Sequence, residues 1–148
     1  MRHISLVLCC ACFAPLIVVP AAAEASAGDA MVRAVNAARQ SKGVAPLRVS
    51  MTLHRSSDAY SRWMIERDSF GHRARIRASR RFSRVGEVLA FAPGSTADIE
   101  RTVRDWQASP AHRAVLFDRA FRFVGTGRAR GGFGDRQATV WTVQLGVP

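Results

Sequence analysis

The sequence predicts an α+β protein, a three-layer α/β/α sandwich around a mainly antiparallel sheet. Three observations carry this expectation. Helical stripes come first, and a late pair of strands joined by a glycine-rich loop follows, which is the order of an antiparallel hairpin. Val85 to Phe91 is apolar on both faces except at Glu87, as in a central strand covered on each side. Once an N-terminal leader is set aside, about 120 residues remain, enough for one core that buries roughly two-thirds of the unfolded surface.

The leader is legible by itself. Met1-Arg2-His3 is a weakly basic head, and Ile4 to Val19 is apolar apart from small residues and Pro15. Pro20-Ala21-Ala22-Ala23 then offers small residues where a signal peptidase reads. The run is shorter than the ~20 residues of a spanning helix, so it reads as a secretory signal peptide. The expected organisation is a signal peptide over 1–23, a lead-in over 24–29 and a single domain over 30–148. Cleavage after Ala27 is the alternative, and a lipid anchor on Cys12 is the rival. Against that rival, Cys9 and Cys10 stand where a lipobox has leucine and a small residue. All three cysteines lie in the leader. The exported domain therefore has no disulfide framework and no cysteine zinc site. No second spanning segment follows, and the expected location is periplasmic or extracellular.

Asp29 can cap a helix from Ala30 to Ser41, with Met31, Ala34, Val35 and Ala38 on one face. Gly43 ends it, and Pro46-Leu47 reads as loop. Ser50 opens a second helix to Asp68, striped by Leu53, Ser57, Tyr60 and Met64 and widened by Ala59 and Trp63. An arginine-rich loop leads to the strand Val85–Phe91, and Pro93-Gly94 turns the chain. Ser95 with Asp98 resembles a capping box for a third helix, with Ile99, Val103 and Trp106 inward. Ser109-Pro110 restarts the chain as a short helix to Phe117, serine at the cap and proline in the first turn. Phe121 to Gly127 is a strand, Arg130 to Asp135 a hairpin loop, and Ala138 to Leu145 the last strand, with Trp141, Val143 and Leu145 on one side.

The formal charge is +11, and all but one of the 22 basic residues are arginines. Export and the scatter of these arginines argue for a solvated basic surface and against a nucleic-acid partner. One cluster stands apart: Arg73, Arg75, Arg77, Arg80, Arg81 and Arg84. Outside the cytoplasm, its fitting partner is an anionic envelope polymer or a lipid headgroup.

Chemistry-bearing residues are few. Strand alternation puts Glu87 on the face of Val85, Leu89 and Phe91, where a carboxylate needs an arginine, a histidine or a metal as partner, or a strand end that reaches water. His112 falls in the first turn of its helix, where free N–H groups favour neutral imidazole, the form that ligates metal or accepts a proton. His72 follows Phe70-Gly71 at the exit of the second helix, with Phe70 as a core plug. His54 reads as a mid-helix surface residue. His72, His112 and Glu87 are a legitimate ligand set for Zn²⁺ or another divalent cation, but spread along the chain without a compact motif. No nucleophile elbow is present, and Gly131-Gly132-Phe133-Gly134 lacks the following helix of a phosphate loop.

In order, Val35-Asn36-Ala37-Ala38-Arg39, Leu53 through Ala59 to Trp63-Met64, Phe70-Gly71-His72, Gly86-Glu87, Trp106 to Arg113, Val124-Gly125-Thr126-Gly127 and Trp141 to Gly146 resemble the CAP superfamily (cysteine-rich secretory, antigen 5 and pathogenesis-related proteins), in its bacterial SCP-like branch. The resemblance implies an α/β/α sandwich, an extracellular location, and a cleft of two histidines and two acids that binds divalent metal or lipid in some members. His72, Glu87 and His112 match three of the four cleft positions. The fourth, an acid in the family, falls on Ser109. The leading expectation is an exported, monomeric binding module with a cleft for a small molecule, lipid or divalent metal, leaning away from an enzyme. The alternative is a metal-dependent hydrolase, with zinc on His72 and His112 and Glu87 as general base.

Overall fold

The computed structural model describes residues 26–76, 80–94 and 98–148. The signal-peptide expectation, Ser95 and Arg77 lie outside the described residues. Element order is α1 (Ala27–Ser41), β1 (Arg48–Val49), α2 (Met51–Glu66), β2 (Arg84–Pro93), α3 (Ile99–Ala108), α4 (Pro110–Leu116), β3 (Phe123–Phe133) and β4 (Arg136–Val147). The strands form one sheet in the order β1-β3-β4-β2, antiparallel except for the β1–β3 pair.

Three layers follow from side-chain alternation. On one face, Leu89 and Val140 meet Tyr60 and Met64 of α2. On the other, Val88, Trp141, Val143 and Leu145 meet Met31 and Val35 of α1, Val103 and Trp106 of α3, and Leu116 of α4. The sandwich expected from the sequence is the observed fold.

The α2 stripe is as expected: Leu53, Ser57, Tyr60 and Met64 are all buried, and Ser61 joins them. The helix lies directly on β3. A methyl on Gly125 would come within 2.1 Å of the His54 backbone nitrogen, and one on Gly127 within 2.2 Å of that of Asp58. Only glycine lets the two backbones approach so closely. Ser57 Oγ uses the proximity to donate to the Gly125 carbonyl at 3.1 Å.

Several boundaries differ from expectation, each for a local reason. Helix α1 begins at Ala27, because Ser26 is the cap. Its hydroxyl accepts from the Asp29 N–H at 3.2 Å, while the Asp29 carboxylate accepts from the Ser26 N–H at 3.2 Å. Asp29 therefore completes a capping box instead of opening the helix. Similarly, Asp98 is itself the cap of α3, accepting from the Arg101 N–H at 2.9 Å. Ser109 holds the cap position of α4, but its hydroxyl makes no cap hydrogen bond. The segment after Pro46-Leu47, read as loop, contributes the parallel strand β1, paired with Phe123 and Val124. The hairpin loop shrinks to Gly134-Asp135, since pairing continues to Phe133↔Arg136; Gly134, at φ 59°, takes the left-handed turn. Phe70 does not plug the core. It is 44% exposed and meets Phe91 edge-on, with ring centroids 5.6 Å apart. His54 lies one turn into α2 and is half-buried.

Candidate functional site

Strand β2, expected to be central, is one edge of the sheet: helices cover both of its faces, which makes it apolar throughout, but only β4 pairs with it. The candidate residues gather along it. Glu87 faces α2, with its side chain only 2% exposed. Two groups hold it. His72 Nδ1 lies 2.9 Å from Oε1, and Gln144 Nε2 donates to Oε2 at 2.9 Å. Of the partners open to Glu87 in the sequence, the structure supplies the histidine. Gln144 was missed. Its signal was present, because alternation puts it on the face opposite Trp141, Val143 and Leu145, and it is a polar residue inside an apolar strand.

The loop carrying His72 is fastened from both sides. The Tyr60 hydroxyl donates to the Gly71 carbonyl. The Arg73 guanidinium stacks on Tyr60 and Trp63, 4.1 and 4.6 Å from the ring centroids. The His72 side chain is nevertheless 53% exposed, so it joins a buried acid to solvent. Burial, followed by the nearby Glu87 charge, raises the Tyr60 pKa and keeps its hydroxyl a donor.

His112 is the third residue of α4, two positions after Pro110 in the first turn. Burial first, and the charge of His72 second, lower its pKa below the ordinary 6.5. The ring is thereby kept neutral at pH 7. Ser109 and His112 close one end of a cleft of about 570 Å³ between α3 and Leu89–Pro93 of β2. Glu87 and Gln144 border a separate hollow of about 380 Å³ with Tyr60, Trp63 and Arg73. The structure thus brings His72 and Glu87 into contact and puts His112 beside Ser109, with the edge strand dividing the two clefts.

A divalent cation would need donors that are free to turn toward it. Both Glu87 oxygens are already engaged, and among the described residues no three His, Cys, Asp or Glu side chains group closely enough to hold an ion. Glu87 is thereby held away from the role of a metal ligand, which leaves the imidazoles of His72 and His112 as the groups that would hold an ion.

Two members of the arginine segment have partners of their own. Arg73 is stacked on the aromatic pair, and Arg84 pairs with Asp118 at 2.8 Å while covering Phe121 at 4.7 Å. Arg75, Arg80 and Arg81 are exposed.

The model of the CAP cysteine-rich secretory protein family matches residues 32–145. The chain belongs to this family. A relative, the uncharacterized protein YkwD of Bacillus subtilis, is 27% identical over 124 residues, covering 78% of this chain and 45% of that protein. The chain thus spans less than half the length of that curated relative. Among solved structures, an outer surface protein of Borrelia burgdorferi is similar with a TM-score of 0.65 at 18% identity, over 80% of this chain and 90% of that one. An extracellular protein of Bacillus anthracis containing an SCP domain gives 0.63 at 18% identity, over 82% of this chain and 40% of that one. Venom allergen-like protein 4 of Schistosoma mansoni gives 0.65 at 12% identity, over 81% of this chain and 87% of that one. At these identities the structural likeness establishes the CAP fold. Among the described residues, no helix is long and apolar enough to cross a membrane.

Proposed function

We propose that this CAP domain is an exported binding module of the cell envelope, and that its ligand site is the β2 edge formed by His72, Glu87, Ser109 and His112. The carrying observation is the buried Glu87 carboxylate, held by Gln144 from within the sheet and met by a solvent-exposed His72. A carboxylate that is costly to bury, and is linked to solvent through one imidazole, suits recognition of a small polar molecule or a lipid headgroup. The exposed arginines Arg75, Arg80 and Arg81 would meet an anionic envelope polymer. The leader sequence and the extracellular and outer-surface relatives support the location.

The test is retention of envelope fractions on the immobilised exported protein, with bound small molecules identified by mass spectrometry. Retention lost in His72→Ala, with the melting temperature unchanged, supports the reading. Equal retention by wild type, His72→Ala and Glu87→Gln removes it. N-terminal sequencing of the exported protein checks cleavage after Ala23 or Ala27.

A further inference from the structure

The opposite edge of the sheet carries a different surface. Strand β1 is short and pairs on one side only, with β3. Val49 on it is 54% exposed, and Met51, two residues on, is 57% exposed. A bare apolar side chain such as Val49 on an edge strand is ordinarily avoided, and Met51 at the start of α2 extends it. Arginines frame them. The Arg48 guanidinium is laid over Phe123, 4.6 Å from the ring centroid. Arg55 follows Met51 one helical turn later and shares its face. Arg122 runs alongside β1, its carbonyl accepting from the Arg48 N–H at 2.9 Å, and its guanidinium donates to the carbonyls of Arg119 and Phe121.

Asp29 borders the same hollow as Val49 and Met51, but its Oδ2 is taken up by the Ser26 N–H and hydroxyl. Asp118, from the same loop as Arg119 and Arg122, is spent: Oδ1 accepts from the Ala120 N–H at 2.8 Å, and Oδ2 pairs with Arg84 at 2.8 Å. Among the described residues no ion pair joins Arg48, Arg55, Arg119 or Arg122 to an acid.

We infer that the β1 edge docks the protein on an anionic phospholipid bilayer, with these arginines on headgroup phosphates and Val49 and Met51 entering the interface. Two features select this occupant. A dissolved polyanion would satisfy the guanidinium groups but leave both apolar side chains in water. A second copy, docked through the same edge, would bring its own arginines against these. A bilayer interface accepts cation and apolar group together. Since β1 and β2 are opposite edges of the sheet, docking through β1 leaves the His72–Glu87 cleft facing away from the membrane.

The experiment is co-sedimentation of the exported protein with vesicles of phosphatidylglycerol and phosphatidylcholine, and of phosphatidylcholine alone. Binding is expected only to the anionic vesicles. Arg48→Gln/Arg122→Gln should lower the partition coefficient about thirty-fold, from ~1 kcal/mol per cation near the surface. Val49→Ser/Met51→Ser should lower it about tenfold. The hairpin-loop variant Arg130→Gln/Arg136→Gln, at the tip of the β3–β4 hairpin, should leave it unchanged, which separates this docking from the general positive charge of the protein. Melting temperatures report folding throughout. Equal binding to neutral vesicles overturns the inference, as does equal loss in the loop variant. So does an apolar variant that binds like wild type while inorganic polyphosphate releases the protein. A dimer in sedimentation equilibrium that Val49→Ser/Met51→Ser abolishes would assign the edge to a second copy instead.

Discussion

Gln144 and Glu87 are direct cross-strand partners, and the Gln144 amide donates to Glu87 Oε2 at 2.9 Å across the β4–β2 pair. The acid is therefore oriented by the sheet itself, and His72 needs to satisfy only its other oxygen. Gln144→Leu should destabilise the fold by about 1–3 kcal/mol, because it leaves a buried carboxylate short of a donor. Urea denaturation measures this. Glu87→Gln combined with Gln144→Leu should cost less than the sum of the single changes, since the two groups share one interaction. Strict additivity would show that the hydrogen bond contributes nothing.

His112 makes stability depend on pH. Its folded-state pKa lies below the ordinary 6.5, so the unfolded chain binds more protons as pH falls through that value. The His112 contribution is fully present above that value and declines on acidification toward the lowered folded-state pKa. His112→Gln should flatten this part of the stability profile, read as the denaturant midpoint between pH 7.5 and roughly 5. His72→Ala should raise the His112 pKa, because it removes the opposing charge. An NMR titration of the His112 ring reads that shift directly.

The contact of α2 with β3 tolerates no side chain. Gly127→Ala would set a methyl 2.2 Å from the Asp58 nitrogen, which is backbone and cannot rotate away. The expected loss is about 3 kcal/mol or more, measured as a lowered thermal midpoint. Gly132→Ala, which meets nothing within 4 Å, is the control and should change little.

Arg73 fastens the His72 loop through its ring contacts. Arg73→Ala should cost roughly 1–2 kcal/mol, at about 0.5–1 kcal/mol for each cation–π contact. Arg73→Lys should recover part of it. Trp63 fluorescence and protease sensitivity after Asp68 would report whether the loop loosens.

The helical stripe Leu53–Ser57–Tyr60–Met64 was readable because helical periodicity is a local property. The inward alternation of Glu87 was readable for the same reason. Asp29 and Asp98 were assigned to the wrong capping roles, since one acid suits either the cap or the third position and only backbone geometry decides. Strand β1 was missed because a parallel pair with Phe123 and Val124 leaves no local signal in Arg48-Val49. Phe70 looked like a core plug by chemistry, but it stays at the surface and meets only the edge of the Phe91 ring.

Local pattern was enough to set the helices and the longer strands, the face of the α2 stripe, and the isolation of one acid in an apolar strand. These rest on periods of two and 3.6 residues, which any short stretch expresses. What that acid meets depended on the folded layers. His72 and Gln144 reach it across 15 and 57 residues of chain, through loop course and strand register. Register follows from packing the whole sheet against its helices, so the partner of a buried charge is a property of the assembled sandwich.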